Sequence, residues 1–430
     1  MKLIHTADLH LGNKMHDINR DIEYTDFFKW LKETIVQENA DTLVIAGDVY
    51  DTVNPPIEAR KKFNRFLASL LDTDCKNIII VGGNHDSGAL LDADKDLMEA
   101  LNIHVIGSLS NCSIEDAVFK LFDKEGNLVG ICAAIPYIKD MELKTYCDVD
   151  TSTEKYGNMG IKNVYDKALE VAKSMGSNLP VPIIATGHLY AADLEGKYAD
   201  LQYQMSHDDG VRDLDVVGNL GSINATSFSE EYDYVALGHI HYTSKVADKE
   251  KIRYSGSPFV MGFDEADRPH HVLSVECLPD KETVVKKIMV PISCHFKRVE
   301  GDCTELKAQI LNLEEQYNDA LKIYVEARYK SKDSSEVNQM LDSLKYPDRI
   351  EVVSRKVVKT SNPADIQLEK RTMSEMRNLD PAEIFRKRIM QMLEIKGKTR
   401  EEQELLNNYL SYFLDAFHKV QIMGDSNENI

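Results

Sequence analysis

The sequence lacks the long apolar run that a membrane helix requires. No stretch of the chain approaches the roughly 18 consecutive apolar residues that span a bilayer as a helix. The apolar start of the chain is interrupted at once by His5 and Asp8, which leaves no core for a signal peptide. We therefore expect a cytoplasmic protein.

Cysteine is scarce and scattered. The seven cysteines are odd in number and form no CxxC pair, which argues against both a disulfide framework and a thiolate zinc site. A GxxxxGK[ST] phosphate-binding loop is also missing from the sequence. Any nucleotide hydrolysis of that kind would have to come from another chain.

The sequence contains fewer basic residues than acidic ones. The chain has 51 Lys and Arg against 71 Asp and Glu, for a formal net charge of -20. A protein that coats a phosphate backbone by bulk electrostatics needs the opposite balance. Nucleic-acid binding would therefore have to be local, metal-assisted or shared with a partner.

The length and the order of elements predict several domains. Residues 1–280 repeat a short β-rich apolar run followed by a helical stretch, which predicts an α/β domain. Residues 281–362 change to a strand, helix, strand, helix, strand series whose first strand lies near 284–292, which predicts a small α+β domain. A polar linker at 363–378 and a disordered tail at 424–430 complete the chain. One early helical stretch carries an apolar stripe expected in the core, namely Phe27, Phe28, Trp30, Leu31, Ile35 and Val36.

Residues 379–423 are predicted to form a helical hairpin. Asp380, Pro381 and Glu383 supply an N-cap, a first-turn proline and a capping-box acid, and Gly397 ends the first helix. Such an apolar hairpin behind a polar linker favours docking on a partner protein, with packing on the preceding domain as the alternative. The candidate partner-contacting residues are Ile384, Phe385, Leu406, Leu410, Phe413, Leu414 and Phe417.

Polar side chains follow five of the β-rich runs of the first domain. The carboxyl ends of strands in an open α/β sheet meet at one edge, where ligands collect. We therefore expect these side chains to converge although they are far apart in sequence. The set is rich in oxygen and nitrogen donors and contains no thiolate, which suits Mn²⁺, Fe²⁺ or Zn²⁺. Its members are Asp8, His10, Asp48, Asn84, His85, His188, His239 and His241.

Two pairs of these donors are spaced two residues apart, Asp8 with His10 and His239 with His241. Residues at this spacing in an extended segment point to the same face, so each pair can aim two donors at one place. Two such pairs indicate two metal ions. Ions about 3.5 to 4 Å apart suit phosphoester hydrolysis, because they activate water and stabilise both the attacking and the leaving oxygen. A bridging carboxylate is then needed, and Asp48 is the best candidate.

The motifs DLH at 8–10, GDVYD at 47–51, GGNHD at 82–86, GH at 187–188 and GHIH at 238–241 resemble the five motifs of the calcineurin-like metallophosphoesterases. The stretches TADLHLG, YDYVALGHIH and YSGSPFVMGFDE are similar to the SbcD-like nucleases of that family. The resemblance implies a four-layer calcineurin-like phosphoesterase sandwich, a small α+β capping domain that contacts DNA, and a hairpin that docks on an SbcC-type ABC ATPase.

The resemblance also implies an activity, a manganese-dependent DNA nuclease of DNA repair, replication and recombination. It would act as an ATP-dependent 3'-5' exonuclease on duplex ends and as an endonuclease on single strands and hairpins. A homodimer within a heterotetramer is the implied assembly.

Individual roles follow from the resemblance. His85 would face the scissile phosphate, Asp86 would orient its imidazole, and Asp51 would stand behind the ligands, with a helix N-cap as its equally weighted alternative. The ions would be Mn²⁺, with Mg²⁺, Fe²⁺ or Zn²⁺ as alternatives. One ion would be held by Asp8, His10, Asp48 and His241, and the other by Asp48, Asn84, His188 and His239.

Two other functions stay open. The Ser/Thr phosphatases of the superfamily typically carry GDxVDRG and GNHE, whereas this chain carries GDVYDTV and GNHD, which favours the nuclease branch. A small-molecule or cyclic-nucleotide phosphodiesterase on the same site is the main alternative, and the capping domain with its hairpin argues against it. An inactive interaction scaffold is the other, and the intact set of site residues argues against it.

Overall fold

A computed structural model describes residues 1–146, 155–176, 179–191, 223–278, 281–330 and 334–358. The predicted linker, hairpin and tail, with all seven candidate partner-contacting residues, lie outside the described residues. Within the described ranges, no helix combines the length and apolar character needed to cross a bilayer.

The described residues form three sheets, and the first has six strands in the order β12-β11-β1-β2-β3-β4. Strands β1 to β4 run parallel, and β11 and β12 add antiparallel pairs at one side. The strands β2 and β3 are buried along their whole length, as expected for parallel strands covered on both faces. The bounds are β1 Lys2–Thr6, β2 Thr42–Ala46, β3 Asn77–Val81, β4 Ile103–Ile106, β11 His271–Glu276 and β12 Val284–Met289.

The second sheet also has six strands, in the order β5-β6-β7-β8-β10-β9. Its strands β6, β7, β8 and β10 are parallel, while β5 and β9 are antiparallel to their neighbours. The bounds are β5 Val118–Phe122, β6 Leu128–Ala133, β7 Ile183–His188, β8 Tyr234–Gly238, β9 Ser244–Val246 and β10 Lys249–Tyr254.

Helices cover the first sheet on the face away from the second. Phe28 of helix α1 stacks on Phe66 of helix α2 with 4.4 Å between ring centroids, in the same apolar cluster as Ile4 of β1. Four members of the predicted stripe are buried and Trp30 is partly buried, but Val36 is 53% exposed, so its placement in the core is wrong. The helix bounds are α1 Asp21–Gln37, α2 Ile57–Leu70, α3 Gly88–Asp92, α4 Lys95–Glu99, α5 Asp140–Leu143 and α6 Lys155–Gly176.

The largest apolar cluster joins the two six-stranded sheets. It combines Leu3 and Val44 of the first sheet with Val235 and Leu237 of the second, while Tyr165 of α6 packs in the same cluster. Successive side chains of β1 alternate between faces, so Leu3 belongs to this cluster and Ile4 to the helix-covered one. This packing brings the carboxyl ends of strands from the first sheet close to those from the second sheet.

The third sheet is small and parallel, in the order β13-β14-β15, with its own apolar cluster. The predicted alternation of strands and helices is present, but the first predicted strand is placed wrongly. Residues Val284–Met289 instead pair with β11 at the edge of the first sheet, where no side chain of the strand is fully buried. Cys294–Glu300 takes their place in the small domain. The bounds are β13 Cys294–Glu300, α7 Cys303–Gln316, β14 Lys322–Lys330, α8 Ser334–Ser343 and β15 Ile350–Val358.

Candidate metal centre

The predicted donors converge, but from two sheets rather than from the edge of one. Asp8, Asp48 and Asn84 follow β1, β2 and β3 of the first sheet. His188 ends β7 and His239 follows β8 of the second sheet, and β2 lies against both of these strands. The site therefore lies where the carboxyl ends of two packed sheets meet.

The local backbone differs from the extended conformation that the two-residue spacing suggests. Strand β1 ends at Thr6, and Asp8 and His10 have φ of 54° and 42°, in the left-handed region. Asp48 and His239 also have positive φ, 48° and 97°. Residues other than glycine seldom adopt this conformation, and such strain concentrates at functional sites. The donors meet because the chain turns sharply after each strand, so the same-face explanation is wrong although the convergence is correct.

Glycines allow the loops to approach one another. A Cβ atom at Gly83 would collide with the Asp48 carboxylate, and one at Gly238 would collide with the carbonyl oxygen of Ala46. Only glycine fits at such backbone contacts. Gly238 therefore allows the two sheets to approach each other at the site, and Gly83 allows the GGNHD loop to lie close to Asp48 within the first sheet.

Four donors predicted to hold one ion form a continuous series of contacts. His188 Nε2 lies 3.2 Å from Asp48 Oδ2 and 3.0 Å from Asn84 Oδ1. The same Asn84 oxygen lies 3.0 Å from His239 Nδ1. His188 is held in this orientation because its Nδ1 contacts the carbonyl oxygen of Ala46 at 2.9 Å. The arrangement directs nitrogen and oxygen donors to a common point.

The donors predicted for the other ion are also adjacent. Donor atoms of Asp8, His10 and His241 all lie within 4.8 Å of one another, and so do donor atoms of Asp8, Asp48 and His188. Asp48 thus adjoins both sets, since its Oδ2 is also 3.6 Å from His10 Nε2. His10 is buried, and within the described residues its ring nitrogens make only long contacts with carboxylates, Nε2 with Asp48 Oδ2 at 3.6 Å and Nδ1 with Asp51 Oδ1 at 3.4 Å. A buried imidazole with such loosely held nitrogens fits a metal ligand.

The charges of the site favour a cation. Burial opposes ionisation at Asp48, but the neighbouring His188 outweighs it and holds the pKa of Asp48 well below its usual range. Burial would likewise lower the pKa of His188, but the Asp48 carboxylate raises it to about 9. Burial and the nearby His188 lower the pKa of His239 to about 3. Because a cation binds only neutral imidazole, metal binding at His188 would release a proton.

His85 lies beside these donors with its ring held by the backbone. The ring atom Nδ1 of His85 contacts the carbonyl oxygen of Asp51 at 3.0 Å. The backbone N–H of His85 donates to Asp48 Oδ1 at 2.9 Å. The predicted role of Asp86 as the group that orients this imidazole is wrong. Its two oxygens instead accept the backbone N–H groups of Gly83, Val49 and Tyr50, which ties the two motif loops together.

Asp51 stands behind His10. Its Oδ1 is 3.4 Å from His10 Nδ1 and accepts a hydrogen bond from Asn13 Nδ2 at 2.9 Å. The N-cap alternative for Asp51 is wrong, because helix α2 begins at Ile57 with Pro56 as its N-cap. Burial favours the neutral acid, but His10 outweighs it and lowers the pKa of Asp51.

One residue of the site was not predicted from the sequence. Glu265 is 5% exposed, and its Oε1 lies 3.2 Å from His241 Nδ1. The available signal is its place in the family-like stretch YSGSPFVMGFDE, which carries no ligand motif of its own. Ser257 of the same stretch donates to the carbonyl oxygen of Asp8 at 2.8 Å, so this loop supports the site at two points.

Comparison with known proteins identifies the family of this chain. A model of the calcineurin-like phosphoesterase family matches residues 1–243. The chain therefore belongs to the calcineurin-like phosphoesterase family, and the relatives below show that it is SbcD-like within that family.

Three of these relatives are named as the SbcD component of the nuclease SbcCD. The protein of Escherichia coli K12 is 32% identical over 72% of this chain and 73% of its own length. That of Bacillus subtilis is 30% identical over 67% and 70%, and that of Staphylococcus epidermidis is 26% identical over 74% and 77%. Among solved structures, a rice β-glucosidase aligns over 81% of this chain and 83% of its own at 10% identity, with a TM-score of 0.18.

Proposed function

We propose that this chain is the manganese-dependent DNA nuclease subunit of an SbcCD-type complex. It hydrolyses phosphodiester bonds as an ATP-dependent 3'-5' exonuclease on duplex DNA and as an endonuclease on single strands and hairpins, in repair, replication and recombination. The observation that carries the proposal is the meeting of two donor sets at Asp48, between the ends of two sheets. The names of the relatives support the nuclease and its partner.

The donor sets fit two divalent cations. Asp8, His10 and His241 with Asp48 would hold one ion, and Asn84, His188 and His239 with Asp48 the other. Hard and borderline ions such as Mn²⁺, Mg²⁺, Fe²⁺ and Zn²⁺ suit carboxylate, amide and imidazole donors. When bound, such a pair activates water at neutral pH and stabilises the attacking and leaving oxygens of a phosphoester.

His85 supplies the proton chemistry of the proposed reaction. Its Nδ1–H donates a hydrogen bond to the carbonyl oxygen of Asp51, which leaves Nε2 for the substrate. With protons on both ring nitrogens, His85 donates from Nε2 and so stabilises charge on the scissile phosphate or protonates the leaving oxygen. The ring of His85 contacts that of His10, with 4.9 Å between centroids, and so lies beside the metal centre.

The remaining parts of the chain complete the proposed complex. The two six-stranded sheets with their helices form a four-layer nuclease sandwich, and the small three-stranded domain that begins at Cys294 is a capping domain that contacts DNA. The linker 363–378 leads to the hairpin 379–423, whose apolar residues dock on an SbcC-type ABC ATPase. Two nuclease subunits pair within a heterotetramer in the cytoplasm, and ATP hydrolysis is left to the partner because this chain lacks a phosphate-binding loop of the GxxxxGK[ST] kind.

One assay separates this function from its alternatives. The purified chain is incubated with Mn²⁺ and circular single-stranded DNA, hairpin DNA or a chromogenic phosphodiester, with His85→Ala as the matched control. We expect cleavage of both DNA substrates by the wild type and none by His85→Ala. Cleavage of the chromogenic ester alone would indicate a small-molecule phosphodiesterase, and no cleavage at all would indicate a scaffold.

A further inference from the structure

We propose that Glu265 is a positioning residue that fixes the His241 ring for metal binding, an inference that rests on the function proposed above. Glu265 lies in the loop after β10, and its carboxylate is buried between two partners. One oxygen lies 3.2 Å from His241 Nδ1. The other accepts the backbone N–H of Met261 at 2.8 Å, which holds the carboxylate in place.

The contact determines which nitrogen of His241 can bind a cation. An ionised carboxylate only accepts hydrogen bonds, so the proton of a neutral imidazole is drawn to Nδ1. The lone pair of Nε2 is then directed away from Glu265. His241 shares the donor cluster with Asp8 and His10, so its correct tautomer matters for that ion alone. Carboxylates behind ligating histidines generally fix the tautomer and raise the basicity of the ligand.

His241 differs from His188 and His85 in the nature of this support, and shares with His10 a carboxylate behind Nδ1, that of Asp51 at 3.4 Å. The Nδ1 atoms of His188 and His85 contact backbone carbonyl oxygens, those of Ala46 and Asp51. No substitution removes a carbonyl oxygen, whereas the support of His241 is a side chain that can be exchanged. The two donor sets therefore respond differently to one mutation, which makes the role of Glu265 measurable.

The test is a calorimetric titration of the full chain with MnCl₂. In Glu265→Gln, an amide cannot accept from both His241 and Met261, because one of its two polar atoms is a donor. We expect the affinity for one Mn²⁺ to fall about 10- to 100-fold while the other is unchanged. Asp267→Asn is the matched control, since this carboxylate of the same loop pairs with Lys297 at 2.8 Å and should leave both affinities unchanged.

Two further variants keep the result specific. In a His241→Ala background, Glu265→Gln should cause no additional loss of Mn²⁺ affinity, because the imidazole that Glu265 positions is already absent. Glu265→Asp keeps the carboxylate with a shorter reach and should bind with intermediate affinity, which also provides the comparison if Glu265→Gln unfolds. Wild-type affinities in both Glu265 variants, or an equal loss with and without His241, would overturn the proposal.

The outcome is distinguishable from failure of the proposed function. A wild type that binds two Mn²⁺ ions but leaves DNA intact would end the nuclease proposal, while the titration would still decide the role of Glu265. A wild type that binds no Mn²⁺ would overturn both.

Discussion

His188 Nε2 lies 3.2 Å from Asp48 Oδ2 and joins the second sheet to the first at the point where the donors meet. Both side chains are buried, so the attraction between them is weakly screened by solvent. The contact raises the pKa of His188 and lowers that of Asp48, and a cation can take over the charge that the imidazolium supplies. In the proposed two-metal site, cation binding and the packing of the two sheets would therefore be coupled at this pair.

Replacing Asp48 should remove both ions. In Asp48→Asn, the residue that adjoins both donor sets loses its charge, and we expect the bound Mn²⁺ to fall from two ions to fewer than one per chain. Activity on single-stranded DNA should fall by a factor of about 10³ or more, in keeping with loss of metal catalysis. Metal content after dialysis, measured by mass spectrometry, checks the prediction.

The control for Asp48 is Asp74→Asn, an exposed carboxylate that pairs with Lys124. This variant should retain both ions and full activity. Retention of two ions by Asp48→Asn would show that Asp48 does not bridge.

Replacing His85 should separate metal binding from catalysis. His85→Ala removes the proposed acid but none of the proposed ligands, so two Mn²⁺ ions should remain while DNA cleavage falls about 10²- to 10⁴-fold. The measurement is metal content and cleavage rate on the same preparation. If metal content falls together with activity, His85 is a ligand and its assigned role is wrong.

Glu38 should stabilise the folded protein at neutral pH and lose this contribution at acidic pH. Its carboxylate binds Lys286 at 2.6 Å, Lys2 at 3.0 Å and Ser274 at 3.0 Å, and so ties α1 to three strands. The hydrogen bond from Lys286, followed by that from Lys2, lowers the pKa of Glu38 to about 2. A depressed carboxyl pKa stabilises the fold above the unfolded value of about 4.5, and this contribution is lost as the pH falls through about 2.

Urea unfolding of Glu38→Gln checks this prediction. We expect a loss of about 1 kcal/mol near neutral pH, because Lys286 is largely exposed and water screens the pair. The difference from wild type should shrink between pH 4.5 and pH 2. Glu33→Gln, an exposed carboxylate on the same helix, is the control, and an equal effect of both variants at every pH would contradict the assignment.

The predicted hairpin should be needed for binding the partner ATPase but not for DNA cleavage by the nuclease. In the full chain, Leu410→Glu and Phe413→Glu place charge on the predicted docking surface and should end co-purification with an SbcC-type ATPase. Endonuclease activity on single-stranded DNA should be unchanged, because the donors lie elsewhere. Asn407→Glu, a polar position of the same segment, should leave the complex intact. Persistence of the complex in both apolar variants would refute the docking proposal.

The sequence was sufficient to predict the convergence of the donors, because each follows an apolar run that forms a strand. The sequence was not sufficient to predict that the donors come from two sheets, since apolar segments that form strands do not show which strands pair. The left-handed backbone conformation of Asp8 and His10 could not be predicted either, because residue spacing alone does not distinguish a turn from an extended segment. Glu265 was missed because its partner His241 is 24 residues away along the chain and no local pattern links them.

The central claim is that two ions share Asp48. Crystals of the full chain soaked in Mn²⁺ and measured at the manganese absorption edge test it directly. We predict two anomalous peaks, one among Asp8, His10, Asp48 and His241 and the other among Asp48, Asn84, His188 and His239. A single peak, or a peak coordinated by His85, would contradict the account.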